Sequence, residues 1–497
     1  MVSGEIRLGY SGLIIFLARL LSVGTGLVFT LMVTRSITAE TFGVYGNVSD
    51  ILTYFTLASS IFPFWATRFV ARNHAGSSVT VVLSNLMIAV PSAILYFILL
   101  PIVMPLFQVT AGLVIVYVIV SFQMFEIYLQ SAFEATLQAK KPQSLGFGIM
   151  IFELSKVCLG YALIMWLELG LTGVIVSVIL AIFIQLLYYL KMILPTFHEK
   201  VNWNYVKEWA KASPFNLYGI VGQRLADSVL IFLFLYSGKL ARGYYGAALT
   251  IAGIVGYSSS IGSALYPRLL SKSQPEDITF SLRLVLMFAM PMTFGALVMG
   301  DSYLTILRIE YSIVRPVLTL LSIDMLILCF SSIFGTVVSG AEKLDAEAEI
   351  SWKKMVKSNL FLFLTLPYVQ AAINLPITYY LLNFVVTNAV DAATYVAFMT
   401  LTVDVGLVSI RYLIARKSLL FRMPLKHIIK YICAATIMAV LLYVFPHPTR
   451  LTITVALTLI GACVYFFVLS IIDSESKAIV KKAIKGLPKI FNIHESA

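Results

Sequence analysis

Fourteen apolar runs, each close to the length one helix needs to cross a bilayer, follow one another along this 497-residue chain. They fall at roughly 10–34, 43–66, 79–106, 112–137, 146–166, 171–193, 213–237, 243–266, 280–300, 316–340, 358–383, 390–412, 427–445 and 451–472. A bilayer core takes about 20 apolar residues per helical span. The composition agrees: 60% of residues are hydrophobic and 12% charged, against about 45–50% and about 25% in soluble domains. The solvent of this chain is lipid. The first run is too long for a cleaved signal sequence and carries Arg19 midway, so it is expected to stay as a span.

A net charge of +12 raises the question of nucleic acid, but the placement of the charge matters more than its sum. Lys and Arg accumulate in the cytoplasmic loops of membrane proteins. With the N-terminus in the cytoplasm, 26 of the 36 Lys and Arg residues fall in inner segments and six in outer ones, Arg242 among the six. That bias supports fourteen spans in a cell membrane with both termini cytoplasmic, and no nucleic-acid partner is expected. Three inner segments, 201–212, 341–357 and 476–490, set apolar residues against lysines at helical spacing, the pattern of helices lying in the headgroup layer.

Several chemistries are disfavoured. The cysteines Cys158, Cys329, Cys433 and Cys463 have no paired spacing, and the five histidines lie between or beyond the runs or, for His427, at the very start of one. Neither a metal site nor a cofactor is expected. A phosphate-binding G-x-x-x-x-G-K-[ST] loop is absent, which disfavours an ATP-driven pump. The longest outer segment, about 301–315, is short for a glycan polymerase or membrane glycosyltransferase.

An internal repeat adds to the pattern. Phe42-Gly43-Val44-Tyr45-Gly46 stands between spans 1 and 2, and Arg242-Gly243-Tyr244-Tyr245-Gly246 stands 200 residues later between spans 7 and 8. Each opens a span that later contains a proline, Pro63 or Pro267. The repeat divides spans 1–12 into two six-helix halves, and secondary transporters commonly bind substrate between such repeats.

The segment Thr34-Arg35-Ser36-Ile37-Thr38-Ala39-Glu40-Thr41-Phe42-Gly43-Val44-Tyr45 resembles the "R-x-L-x-x-x-x-[FY]-G-x-Y" turn of polysaccharide and oligosaccharide flippases. These belong to the multidrug/oligosaccharidyl-lipid/polysaccharide exporter superfamily. Gly243 to Ala248, Leu265-Tyr266-Pro267-Arg268, Phe133 to Lys141 and Leu169 to Gly173 are similar to further motifs of that family, in its order. Ile37 stands where the family usually has Leu, and after residue 280 the likeness is one of topology. The resemblance implies an all-α polytopic membrane protein of about 14 transmembrane helices. Two pseudo-symmetric six-helix bundles, 1–212 and 213–426, would form a V, with two additional spans and a basic tail in 427–497. It also implies alternating access and a cavity whose cationic residues receive an anionic lipid headgroup.

The charges inside spans are the candidate site residues, since each costs roughly 2.5–3.5 kcal/mol at the bilayer centre and needs a partner or a wet cavity. Arg19 shares a stripe of span 1 with Ser11, Ser22, Gly26 and Thr30. It cannot neutralise itself as an acid can, so it faces water, an anion or a partner such as Asp50 or Asp227. Arg224 and Asp227 in span 7, like Glu153 and Lys156 in span 5, are spaced i, i+3 and read equally as self-neutralising pairs or functional groups. Gln123, Glu126, Gln130, Glu134 and Gln138 line span 4 and could serve a pathway or pair with Lys156. Asp324 and Asp404 are lone acids, protonated, capped by hydroxyls, or engaged in transport.

The substrate-binding set is therefore Arg19, Asp50, Arg224, Asp227, Arg68 and Arg268, the last two at the cytoplasmic ends of spans 2 and 8. Glu126, Glu134, Glu153, Lys156, Asp324 and Asp404 are candidates for coupling or gating. The expected function is a non-enzymatic flippase for a lipid-linked oligosaccharide, carried on polyprenyl or dolichyl phosphate or diphosphate, with membrane lipids as the other partner and an unspecified coupling ion. The alternative is a cation-coupled multidrug or small-molecule exporter of the same superfamily, whose members usually have twelve spans and acids in the cavity.

Overall fold

A computed structural model describes residues 8–265, 269, 274–341, 356–445 and 448–478 of the chain. Among these residues every regular element is a helix. In lipid each backbone N–H and C=O must be satisfied within the protein, and a helix does this inside a single segment. Twelve segments among the described residues are by themselves long and apolar enough to cross a membrane. The chain is an all-α polytopic membrane protein.

The other two apolar runs have local explanations. Asn216–Gly262 counts as one segment of 47 residues, but it contains two of the expected runs. α9 (Val229–Gly256) is interrupted at Gly238, whose φ of 82° and ψ of −178° only glycine adopts readily. The run at 43–66 is divided into α2 (Ala39–Phe55), a 3₁₀ turn (Leu57–Ser60) and α3 (Ile61–Ala71). Pro63 has no N–H to offer the Ser59 carbonyl four residues back. Asn85, fully buried, donates to that carbonyl instead at 2.9 Å. Ser59 N–H turns to Thr56, and the Phe55 carbonyl accepts from the Tyr128 hydroxyl at 3.0 Å. The break therefore leaves neither carbonyl unpaired.

The first of two compact units comprises Met1–Gly246 and Leu364–Met399. It holds α1 (Leu8–Ser36), α2, α3, α4 (Ser77–Leu106), α5 (Ala111–Lys140), α6 (Pro142–Gly160), α7 (Gly170–Ile193), α8 (Trp203–Asp227) and the start of α9. Within it α6 packs on α1 and α7, and α5 on α4 and α7. The repeated glycines sit inside helices rather than in turns. α2 begins at Ala39, capped by the Thr38 hydroxyl accepting from Thr41 N–H. Residues 242–246 lie past the Gly238 break in α9. The two repeats meet each other: a Cβ on Gly43 would stand 1.8 Å from the Lys239 carbonyl oxygen, and one on Gly243 2.0 Å from that of Ala39. Small residues at this spacing let two helical backbones touch, as at many contacts between membrane helices.

The segment 201–212, expected in the headgroup layer, differs. α8 runs unbroken from Trp203 into the following span, and Trp209 is 1% exposed against Phe62 and Phe69 of α3. Trp209 of its apolar face packs against protein, while Trp203 and Ala210 stay exposed. The segment 342–355 and the tail from 479 onward lie outside the described residues.

The second unit comprises Ala247–Phe363 and Thr400–Ala497. It contains α10 (Pro275–Leu307), α11 (Arg315–Ala341), α14 (Leu425–Val444) and α15 (Leu451–Ile472). α12 (Asn359–Phe384) and α13 (Ala389–Ser418) contribute to both units. The last two spans pack on α10 through Met287, Met290, Tyr431, Met438, Leu442 and Tyr465, and the Tyr465 hydroxyl donates to the Met287 carbonyl at 2.8 Å. Just past α15, Asp473 lies 2.9 Å from Lys430 Nζ and 3.1 Å from His427 Nδ1, and accepts from the Ser476 hydroxyl. Burial opposes its charge, but the hydrogen bonds from Ser476, Lys430 and His427 outweigh burial and hold its carboxyl well below the usual carboxylate range. The first residues of the expected surface tail are thus tied to α14.

Candidate functional site

The in-span charges of the first unit fall into three groups. Glu153 and Lys156 of α6 form a salt bridge of 2.8 Å, almost fully buried. Ser22 and Thr25 of α1 donate to the two Glu153 oxygens at 2.7 and 2.6 Å, and Lys156 Nζ lies 4.9 Å from the Phe152 ring centroid. Every charge here has a partner in the protein. The arrangement is a clamp between α1 and α6.

The second group joins α2, α8 and α9. Asp50 receives a bidentate pair from Arg242, Nε to Oδ2 at 2.8 Å and Nη2 to Oδ1 at 3.0 Å. The guanidinium lies across Gly46 and Gly246, where added Cβ atoms would come within 2.8 and 3.1 Å of it. Arg224 reaches Asp227 at 3.0 Å, Gln223 donates to the other Asp227 oxygen, and both charged side chains are about one third exposed. The Tyr54 hydroxyl links the helices, donating to the Arg224 carbonyl and bonding Ser228, each at 2.8 Å. Two acids balance two arginines. This group presents partly exposed polar atoms at no net charge.

Arg19 belongs to the third group. Eleven residues into α1, it stands about 17 Å from the helix start. It is exposed, and among the described residues no carboxylate forms a salt bridge with it, although Glu134 is near enough to act on it electrostatically. Asp50, one of its expected partners, is taken by Arg242. Glu134 accepts from Gln130 at 3.0 Å; Gln130 also reaches Gln185, which donates to the Tyr189 hydroxyl. The polar stripe of α5 therefore joins α7, not Lys156. Glu126, on the same helix, is 8% exposed and its Oε2 has no hydrogen-bond partner. Arg68 lies in the last turn of α3, its guanidinium 4.2 Å from the Phe64 ring centroid and donating to the Phe64 carbonyl. Arg268 lies outside the described residues.

In the second unit Asp324 of α11 and Asp404 of α13 are 2% and 1% exposed, and Arg411 Nη1 stands 3.9 Å from Asp404. Arg411 also acts electrostatically on Asp324, whose Oδ1 has no hydrogen-bond donor. Two buried carboxyls thus share one guanidinium. Among the described residues no group of His, Cys, Asp and Glu has a metal-binding arrangement.

Sequence reasoning missed two of these residues. The run boundaries put Arg242 in an outer loop and nothing in the sequence singles out Arg411, yet both are buried in helices beside acids. Arg242 and its acid are 192 residues apart, so no local pattern announces the pair.

No protein-family profile matches the sequence, and no curated protein is similar to it. Solved structures do share its fold. An inward-facing multidrug resistance MATE family transporter of the MOP superfamily aligns over 80% of this chain and 95% of its own, with a TM-score of 0.61 and 10% identity. The lipid II flippase MurJ, in an inward closed conformation, aligns over 94% and 99%, with a TM-score of 0.65 and 14% identity. A MATE protein in a straight conformation gives 83%, 96%, 0.52 and 12%. At these identities the likeness is one of fold. The chain has the fold of MOP superfamily transporters.

Proposed function

We propose that this protein is a flippase that carries a lipid-linked oligosaccharide from the cytoplasmic to the outer leaflet by alternating access, in surface glycan assembly or protein glycosylation. The observation that carries the reading is Arg19, an exposed arginine well inside α1 with no salt bridge among the described residues. Contact with lipid would be costly for it. A phosphate or diphosphate gives the guanidinium a bidentate anionic partner, while a flexible glycan offers few fixed anchors. Arg224, one third exposed and bonded only at Nη1 to Asp227, is the second contact, with Arg68 and Arg268 as the entry for the phosphate. A fold shared with a protein described as a lipid II flippase fits a lipid-borne cargo. The division into bundles 1–212 and 213–426, the segment 427–497, cytoplasmic termini and a plasma-membrane location are part of the same proposal.

Asp324 and Asp404 are the residues proposed to take up the coupling ion, since both acids are buried and Asp324 Oδ1 has no hydrogen-bond donor. Glu153 and Lys156 act in this scheme as a structural clamp, and Glu126 and Glu134 as gating candidates. A second reading, a cation-coupled exporter of the same superfamily, is favoured by one observation: the Asp50–Arg242 and Arg224–Asp227 group carries no net positive charge.

The test is reconstitution. Arg19→Ala should abolish flipping of a fluorescent polyprenyl-diphosphate oligosaccharide while the protein still elutes as a folded species, and Arg19→Lys should keep part of the rate because the fork is lost but the charge remains. Normal flipping by Arg19→Ala would overturn the role of Arg19. Efflux of an organic cation with no lipid flipping by the wild type would establish the exporter instead.

A further inference from the structure

At one end of the second unit, α10, the last turn of α13 and the segment after it line a cavity of about 630 Å³. Its lining includes Arg283, Arg416 and Arg422, with Phe280 and Leu420 among its apolar residues and Glu276 as its acid. We propose that this cavity binds the headgroup of an anionic phospholipid, separately from any transported substrate.

The location suits such a ligand. α10 has 33 residues and at 1.5 Å per residue is about 50 Å long, against a hydrocarbon core of about 30 Å. Its first turns therefore reach the headgroup layer. Arg283, eight residues from the start, stands near the boundary of headgroups and acyl chains. The loop bias of Lys and Arg puts this end on the cytoplasmic side, and Lys417 and Lys426 follow the same stretch of sequence.

The chemistry of the cavity points to a phosphate oxygen. Arg283 Nη1 donates to Glu475 Oε2 at 2.5 Å and the Tyr431 hydroxyl stands near it, but its buried Nε and Nη2 reach no acceptor in hydrogen-bonding geometry. Those two atoms are sealed from the cavity, so Arg283 contributes its charge, while the exposed guanidinium groups of Arg416 and Arg422 can meet a phosphate bidentately. Arg416 and Arg422 are exposed; Arg416 makes one long bond of 3.4 Å to the Tyr412 hydroxyl. Their positions are fixed by packing. Phe421, 5% exposed, sits among Phe334 and Tyr412, and Thr279 donates to the Arg422 carbonyl at 3.0 Å. Three arginines against Glu276 and Glu475 leave the cavity cationic. Basic pockets between membrane helices on the cytoplasmic side recognise anionic headgroups in this way.

The rim argues for a lipid over a free anion. Leu420 is 73% exposed and Phe280 41% exposed, both lining the cavity that holds the arginines. A phospholipid seated there would put its phosphate among the guanidinium groups and its acyl chains along these two side chains. Through Glu475 the site is also tied to the root of the basic tail, whose sequence continues with Lys477, Lys481, Lys482 and Lys485.

The test uses the full-length protein in a neutral detergent, titrated with dioctanoyl phosphatidylglycerol, dioctanoyl phosphatidylcholine or inorganic phosphate while thermal unfolding is followed. Phosphatidylglycerol should raise the melting midpoint saturably, and the other two should not at equal concentration. Arg416→Gln with Arg422→Gln, both exposed, should raise the half-saturating concentration about tenfold or more, and Leu420→Ser should weaken phosphatidylglycerol alone. Arg422→Gln by itself gives the same reading if the double variant folds poorly. Equal shifts with both lipids, or unchanged affinity in the arginine variants, would overturn the site. A shift reproduced by inorganic phosphate would make it a free-anion site and overturn the lipid assignment.

Discussion

Replacing Gly43 or Gly243 with alanine should destabilise the protein out of proportion to one methyl group. Real Cβ atoms essentially never come closer than 3.0 Å to another heavy atom, whereas the Gly43 Cβ would start 1.8 Å from the Lys239 carbonyl oxygen. That carbonyl must therefore retreat 1.2 Å, and it belongs to the backbone of α9, which has no rotamer to offer. For Gly243 the start is 2.0 Å from Ala39 O and the retreat 1.0 Å. Overpacking of this kind costs about 1–3 kcal/mol. The same movement would stretch the Asp50–Arg242 contacts from 2.8 and 3.0 Å toward the limit of an ion pair, leaving an arginine that is 6% exposed poorly compensated. The melting midpoint in detergent should fall by about 1–3 °C. Gly24→Ala is the control: nothing lies within 4 Å of its added Cβ, and alanine is favoured over glycine in a helix by about 0.8–1.0 kcal/mol. If Gly43→Ala and Gly243→Ala melt with the wild type, the two backbones are not in contact and the account of the repeat is wrong.

Two further outcomes follow from the ion pairs. Glu153→Gln leaves Lys156, with 12% side-chain exposure, without its carboxylate and should cost about 3–5 kcal/mol; Glu153→Gln with Lys156→Met should recover most of it, and equal melting of the single variant and wild type would refute the clamp. Asp473→Asn should lower stability at pH 7. Because the folded carboxyl is held below its usual range, its contribution is full above about pH 4 and is lost as the pH falls through the lower folded value. The gap between variant and wild type should therefore close in acid, and a gap independent of pH would assign it to packing.

That the apolar runs form membrane-spanning helices was legible in the sequence because span formation is a local property. Each run of about 20 apolar residues partitions by its own hydrophobicity, and the backbone is then satisfied within that one segment. Glu153 and Lys156 were legible as a pair for the same reason, being one helical turn apart. The break in the second span was not. Pro63 announces a missing N–H, but only α4 and α5, folded alongside, supply the Asn85 and Tyr128 that accommodate the freed carbonyls.

Charge partners at long range belong to the same class. The sequence placed Arg242 in an outer loop because a short cationic interruption between two apolar runs looks like one. Tertiary structure buries it across Gly46 and Gly246 against an acid 192 residues away. Likewise Asp404 and Arg411 stand seven residues apart on one helix, but it is the packing of α11 against that face that adds Asp324 and makes two buried acids share one cation. Hydrophobicity is summed along the chain, so the sequence by itself determines what crosses the membrane. Coulomb interactions depend on distance in space, so only the tertiary structure decides which charges are neutralised inside it and leaves Arg19 exposed.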